Sequence, residues 1–128
     1  MIGEYIGIPY DISNNKGLNC WGLVSKVYAD LFGDTIKDFP SNTDSSQEIA
    51  SVFAAAFATN EHGFKLTENP NNFDLIVFSR NSVYGKLYHC GIMYNGKVLH
   101  SSKAVGGVAL QSIADAGRGF REFKFWQR

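Results

Sequence analysis

The reactive side chains of this 128-residue chain are few: two cysteines and three histidines. Cys20 directly follows Asn19, a good helix N-cap. Beyond it, Leu23, Val24, Val27, Tyr28 and Leu31 recur at the spacing of a core-facing helical stripe, and Gly33 is a plausible stop. The thiol is therefore expected in the first turn of a helix. Unpaired backbone N–H groups and the helix dipole there favour the thiolate, the reactive form of cysteine. The same N–H groups could steady an oxyanion formed after attack on a carbonyl. A cysteine is ordinarily a small, inert, buried residue, and only its position marks Cys20 as a nucleophile.

The partner for such a thiolate comes from a hairpin. Asn95-Gly96 is a strong two-residue turn signal, which pairs Tyr94 with Lys97, sets Gly91 opposite His100 and sets His89 opposite Ser102. Strand alternation then puts His89 and His100 on one sheet face as diagonal neighbours, about 7–8 Å apart at the backbone. Gly91 leaves room between the two imidazoles. One histidine can act as a base toward the thiol while the other holds its ring in the required tautomer. The same parity sends Cys90 to the opposite face, where it reads as a small buried core residue, and for that reason a disulfide with Cys20 is not expected. His62, in the polar stretch Asn60-Glu-His-Gly63, reads as solvated surface. Trp21, Phe123, Phe125 and Trp126 read as core or edge packing.

The elements that must hold these groups fall into two runs. After the Cys20 helix, Ser45-Ser-Gln-Glu48 resembles a capping box for a second helix whose apolar face carries Ile49, Val52, Phe53, Ala56 and Phe57. From Asp74 onward the pattern is strands: Leu75 to Phe78, Tyr88 to Tyr94, Lys97 to Ser101, Val108 to Ile113 and Phe120 to Trp126. Helices first and strands after them indicate an α+β domain with an antiparallel sheet, and the length fits one domain over residues 1–128. The stretches Asp38 to Ser46 and Asn69 to Asn72 read as loops within it.

Composition excludes several function classes. The chain is 45% hydrophobic and 14% aromatic, which suits a packed globule. Lys+Arg and Asp+Glu each number 12, so no net charge favours nucleic acid or an anionic membrane. Apolar runs such as Val52 to Ala58 are too short to insert in a bilayer. The start Met1-Ile-Gly-Glu-Tyr lacks the pattern of a secretory signal. Two cysteines support neither a disulfide framework nor an all-cysteine metal site. A zinc site built from Cys20, His89 and His100 would lack the short ligand spacings of zinc modules. Neither a metal nor another cofactor is expected.

Five ordered blocks carry a family resemblance: Tyr5-Ile-Gly-Ile-Pro-Tyr10, Gly17-Leu-Asn-Cys-Trp-Gly-Leu-Val24, Asp74-Leu-Ile-Val-Phe78, His89-Cys-Gly-Ile-Met-Tyr94 and Val98-Leu-His100. Together they resemble the NlpC-type cell-wall cysteine peptidases, a papain-like fold, over almost the whole chain. The resemblance implies that Cys20 is the nucleophile, His89 the general base and His100 the group that orients it. Tyr10 falls on the tyrosine that faces the nucleophile and helps bind the reacting carbonyl. The implied substrate is a peptidoglycan stem peptide, cut at a γ-D-glutamyl–diaminoacyl amide through a thioester and without a metal.

Three positions depart from the family pattern. Asn19 stands where Asp is usual, Phe73-Asp74 where Gly-Asp is usual, and Trp21 where many members have Ser. Trp21, the stretch Val27-Tyr28 to Phe39-Pro40 and the aromatic C-terminus resemble the phage-tail branch of the family. That branch implies assembly in the host cytoplasm, residence in the virion beside other tail-tip proteins, and local wall opening as the genome passes in. Asn19 and Phe73 also motivate the alternative of a structural tail-tip or assembly protein that keeps the peptidase fold without requiring hydrolysis.

Overall fold

The computed structural model describes residues 2–33, 63–83 and 85–128. A single 3-10 turn, Ile2–Glu4, leads into a loop that delivers the first helix, α1, Cys20–Phe32. Among the described residues, six strands form one antiparallel sheet: β1 Lys65–Thr67, β2 Leu75–Ser82, β3 Gly85–Tyr94, β4 Lys97–Ser102, β5 Gly107–Gln111 and β6 Glu122–Gln127. Their spatial order is β1-β6-β2-β3-β4-β5. A four-residue helix, α2, Ile113–Ala116, links β5 to β6. This is the α+β arrangement expected from helices followed by strands. The expected second helix, Ser45 onward, and His62 lie outside the described residues.

Helix α1 begins and ends where local chemistry dictates. The Asn19 side chain accepts a hydrogen bond from the Gly22 N–H, and Gly33 closes the helix at φ 66°, a left-handed conformation that costs glycine little. Leu23, Val24, Val27 and Tyr28 are buried as the stripe requires, but Leu31 is 39% exposed. It lies in the last turn, beyond the last buried pair.

The sheet has two apolar faces. Leu75, Val77, Cys90, Ile92 and Leu99 pack with α1 on one side. Ile76, Phe78, Met93 and Val98 pack with Ala116 of α2 on the other. The hairpin register is as expected, with Tyr94↔Lys97, Met93↔Val98 and Ile92↔Leu99. Several strand limits differ from expectation: β2 runs on to Ser82, β3 starts at Gly85, and β6 starts at Glu122 and not at Phe120. Ile113 opens α2 instead of ending β5, because Ser112 turns out of the strand and its hydroxyl caps the Asp115 N–H. Strand β1 carries no sequence signal of its own: three residues at the sheet edge, paired only with β6, are too short for an alternation to show.

Candidate active site

The loop before α1 is built to present Cys20. Asp11 gathers it, its carboxylate accepting from the backbone N–H groups of Ser13, Asn15 and Lys16 and from the Ser13 hydroxyl. Those donors hold the Asp11 carboxyl down at about 2. The Asn19 N–H donates to Asn14 Oδ1 at 2.7 Å, and Asn19 Nδ2 donates to the Ile12 carbonyl at 2.8 Å. Asn19 Oδ1 meanwhile caps Gly22 at 2.7 Å. Asn19 thus uses its side-chain amide as donor and acceptor together, which an ionised Asp could not do. The residue that departs from the family pattern is fully engaged at the helix start.

Tyr10 is fastened beside this loop. Its N–H bonds the Gly106 carbonyl, and Tyr10 bridges to Leu18 in parallel. Ser101 Oγ donates to the Leu18 carbonyl at 2.6 Å, tying the same segment to β4. Gly17 is required here because a Cβ would lie 2.1 Å from the Pro9 carbonyl oxygen. Burial, then the negative charges of Cys20 and Asp11, raise the Tyr10 phenol above its usual pKa. Its hydroxyl therefore stays protonated, able to donate.

The two histidines meet as the hairpin parity requires. His89 Nε2 lies 2.8 Å from His100 Nδ1, with ring centroids 5.0 Å apart and planes near perpendicular. A Cβ on Gly91 would come within 2.5 Å of a Val98 methyl and 3.1 Å of His100 Cβ, so only glycine permits this approach. His89 is also stacked on Phe120 at 5.9 Å and on Phe78 at 6.1 Å, which fixes its ring plane. His100 is 2% exposed. Burial, then the neighbouring His89, lowers its pKa, so it is neutral at physiological pH.

The hydrogen-bonded chain does not end at His100. Its Nε2 lies 2.7 Å from Gln111 Oε1. A carbonyl oxygen can only accept, so His100 carries its proton on Nε2 and offers the Nδ1 lone pair to His89. His89 then donates from Nε2, and its remaining nitrogen, Nδ1, is the one left to meet the Cys20 sulfur. His100 faces small residues on both sides, Gly91 on β3 and Ala109 on β5. The ring can therefore reach diagonally to larger partners on each neighbouring strand. The sequence singled out neither Gln111 nor Phe120.

Cys20 lies against β3. Its pKa is well below that of an ordinary thiol: the Cys90 thiol hydrogen-bonds its sulfur, burial opposes, and His89 adds a hydrogen bond and charge, with the Cys90 backbone N–H contributing further. Tyr10, Cys20, His89, His100 and Gln111 share a cleft of about 690 Å³, with Arg118 and Phe120 along its wall. That volume suits a small ligand or a peptide segment.

Both cysteines are free thiols. Cys90 does point away from His89, as parity requires, and is fully buried. It is not remote from Cys20, because α1 packs on the Cys90 face of the sheet. The Cys20 sulfur reaches the β3 backbone at Cys90 and so touches side chains of both faces.

The NlpC/P60 family model matches residues 7–125. The chain belongs to the NlpC/P60 family. Members of this family are cysteine peptidases and amidases that act on peptidoglycan. The fold is similar to the crystal structure of the NlpC/p60 domain of the peptidoglycan hydrolase SagA, with a TM-score of 0.58 at 19% identity. The alignment covers 99% of this chain and 92% of that one. No curated protein matches the chain in sequence. Among the described residues, no group of three or more His, Cys, Asp or Glu side chains is placed to hold a metal ion. His100 in particular has both ring nitrogens engaged. No described helix is long and apolar enough to cross a membrane.

Proposed function

We propose that this NlpC/P60 domain hydrolyses an amide bond of a peptidoglycan stem peptide, with Cys20 as nucleophile. The observation that carries this reading is the continuous chain from the Cys20 sulfur through His89 and His100 to Gln111, opening into the cleft. Cys20 gives its proton to His89 Nδ1, which leaves a thiolate beside the imidazole. The thiolate attacks the carbonyl carbon, and the oxyanion is met by the Tyr10 hydroxyl and the Cys20 backbone N–H in the first turn of α1. His89 passes its Nδ1 proton to the departing amine as the C–N bond breaks, leaving a thioester. His89, now neutral, takes a proton from water as the water attacks the thioester. The acid product leaves and the thiolate–imidazolium pair is restored. His100 and Gln111 act as positioning residues: each keeps the ring before it in the tautomer the reaction needs.

The bond is proposed to be the γ-D-glutamyl–diaminoacyl amide, on the strength of the family resemblance. Digestion of purified muropeptides by wild type beside Cys20→Ala, read by mass spectrometry, tests both parts. New termini at that amide with wild type alone are expected. Absence of any new terminus, where a known peptidase cuts the same material, would refute the hydrolytic reading.

The resemblance of Trp21, Val27-Tyr28 and the C-terminal aromatics to the phage-tail branch supports a location in a virion beside tail-tip proteins. There the enzyme would open the wall locally as the genome passes in. Mass spectrometry of purified particles should find the chain, and its absence would remove this part of the proposal. The departures that motivated a non-hydrolytic structural role are accommodated locally. Asn19 makes three side-chain-mediated bonds, and Phe73 keeps a left-handed backbone (φ 73°) while its ring meets Phe32 edge-on and Tyr94 at a tilt. Neither disturbs the cleft.

A further inference from the structure

Cys90 is a buried thiol that the hydrolytic steps consume nowhere. Its side chain is fully enclosed in the core between α1 and the sheet, yet it stands in hydrogen-bond contact with the sulfur of Cys20. Both thiols are free. Cys20, by contrast, lines the open cleft. The pair therefore joins one sulfur that a small solute can reach to a second that only the first can reach.

We propose that Cys20 and Cys90 form a reversible intramolecular disulfide, with Cys90 as the resolving thiol for a peroxide-oxidised Cys20. In the first step the Cys20 thiolate attacks hydrogen peroxide. An S–O bond forms, the O–O bond breaks, and the departing hydroxide takes a proton to become water. Cys20 is now a sulfenic acid. In the second step the Cys90 sulfur attacks the Cys20 sulfur: an S–S bond forms and the S–O bond breaks. The leaving hydroxide departs as water with the proton that Cys90 gives up. The two thiols lose two electrons in total and the peroxide gains them, so one peroxide yields one disulfide and two waters. A dithiol reductant reverses the change by exchange.

The consequence is protective as well as regulatory. A thiolate beside an imidazole in an open cleft is the kind of site that peroxide carries on to sulfinic acid, which is irreversible for most proteins. A second thiol already in contact intercepts the sulfenic acid first. While the disulfide stands, the nucleophile is unavailable and the domain is switched off.

The test does not require hydrolytic activity, so its failure is separable from failure of the proposed function. The reduced full chain is treated with a severalfold molar excess of hydrogen peroxide and then alkylated under denaturing conditions. Intact mass and non-reducing digestion follow. Wild type is expected to lose two hydrogens, to resist alkylation at both positions, and to give one disulfide-linked peptide pair containing Cys20 and Cys90. Dithiothreitol should restore both thiols. Cys90→Ser and Cys90→Ala, each checked for native circular dichroism, should instead accumulate two- and three-oxygen adducts on Cys20 that dithiothreitol cannot remove. If wild type accumulates those adducts while Cys90 remains alkylatable, the proposal is overturned, whatever the variants do.

Discussion

Replacing Gln111 by Leu tests the hydrogen-bonded chain at its far end, away from the nucleophile. Gln111 Oε1 accepts from His100 Nε2 at 2.7 Å, and His100 is 2% exposed, so water cannot readily take its place. Leaving a buried donor unpaired costs about 1–3 kcal/mol. His100 can escape that cost by moving its proton to Nδ1. It would then donate to His89 Nε2, forcing the proton of His89 onto Nδ1, facing Cys20. A histidine protonated there and neutral cannot accept the thiol's proton. Each ~1.4 kcal/mol of lost tautomer preference lowers the competent fraction about tenfold. Gln111→Leu is therefore expected to reduce kcat/KM on a muropeptide by about 10- to 100-fold, with the loss in kcat and little change in KM. Gln111→Glu keeps an acceptor and adds negative charge, which favours the protonated imidazoles. It should retain most activity and move the basic limb of the pH profile upward. Imidazole nitrogen chemical shifts should report the His100 proton on Nε2 in wild type and on Nδ1 in Gln111→Leu. Wild-type kinetics in Gln111→Leu, with the His100 tautomer unchanged, would refute this coupling.

Asn19→Asp removes the donor to the Ile12 carbonyl and brings a carboxylate toward it, so thermal stability should fall by about 1–2 kcal/mol. The added charge near Cys20 should also raise the pH midpoint of its alkylation by iodoacetamide; an unchanged midpoint would show that position 19 does not influence the thiolate. Phe73 sits at φ 73°, a conformation costing a non-glycine residue about 1–2 kcal/mol, offset by ring contacts with Phe32 and Tyr94. Denaturant unfolding should therefore rank wild type above Phe73→Gly, and Phe73→Gly above Phe73→Ala, because Ala loses the rings and keeps the strain. The Asp11 carboxyl is held at about 2, below its ordinary ~3.9. Its contribution to loop order is thus complete above about 4 and lost as pH falls through the folded value near 2. A carboxyl carbon titration by nuclear magnetic resonance with a midpoint near 4 would contradict this account.

The site's legibility in the sequence followed the range of each interaction. Asn19 as cap and Gly33 as stop are local signals, and both hold because capping is settled within a turn of helix. The His89–His100 pairing was equally readable, since a two-residue turn sets the register of the strands it joins and alternation then assigns faces. Gln111 was invisible by comparison. It stands diagonal to His100 only through the pairings His100↔Ala109 and Val98↔Gln111, and nothing in the connection Lys103-Ala-Val-Gly106 between β4 and β5 announces that register. Phe120 stacks on His89 from beyond α2, a four-residue helix too short to show a periodicity.

Cys90 draws the line most clearly between the two sources of information. Its burial and its orientation away from His89 followed from alternation along β3 alone. Its contact with Cys20 did not, because both faces of this sheet are apolar and both are covered. Local periodicity states which residues share a face, not which face receives the helix. That choice is made by packing between segments distant in sequence, and it brought the second cysteine beside the first. Local pattern therefore sufficed for a thiol at a helix start and for two facing histidines. The sulfur neighbour of that thiol, and the extension of the hydrogen-bonded chain to Gln111, exist only once distant strands and the helix have packed.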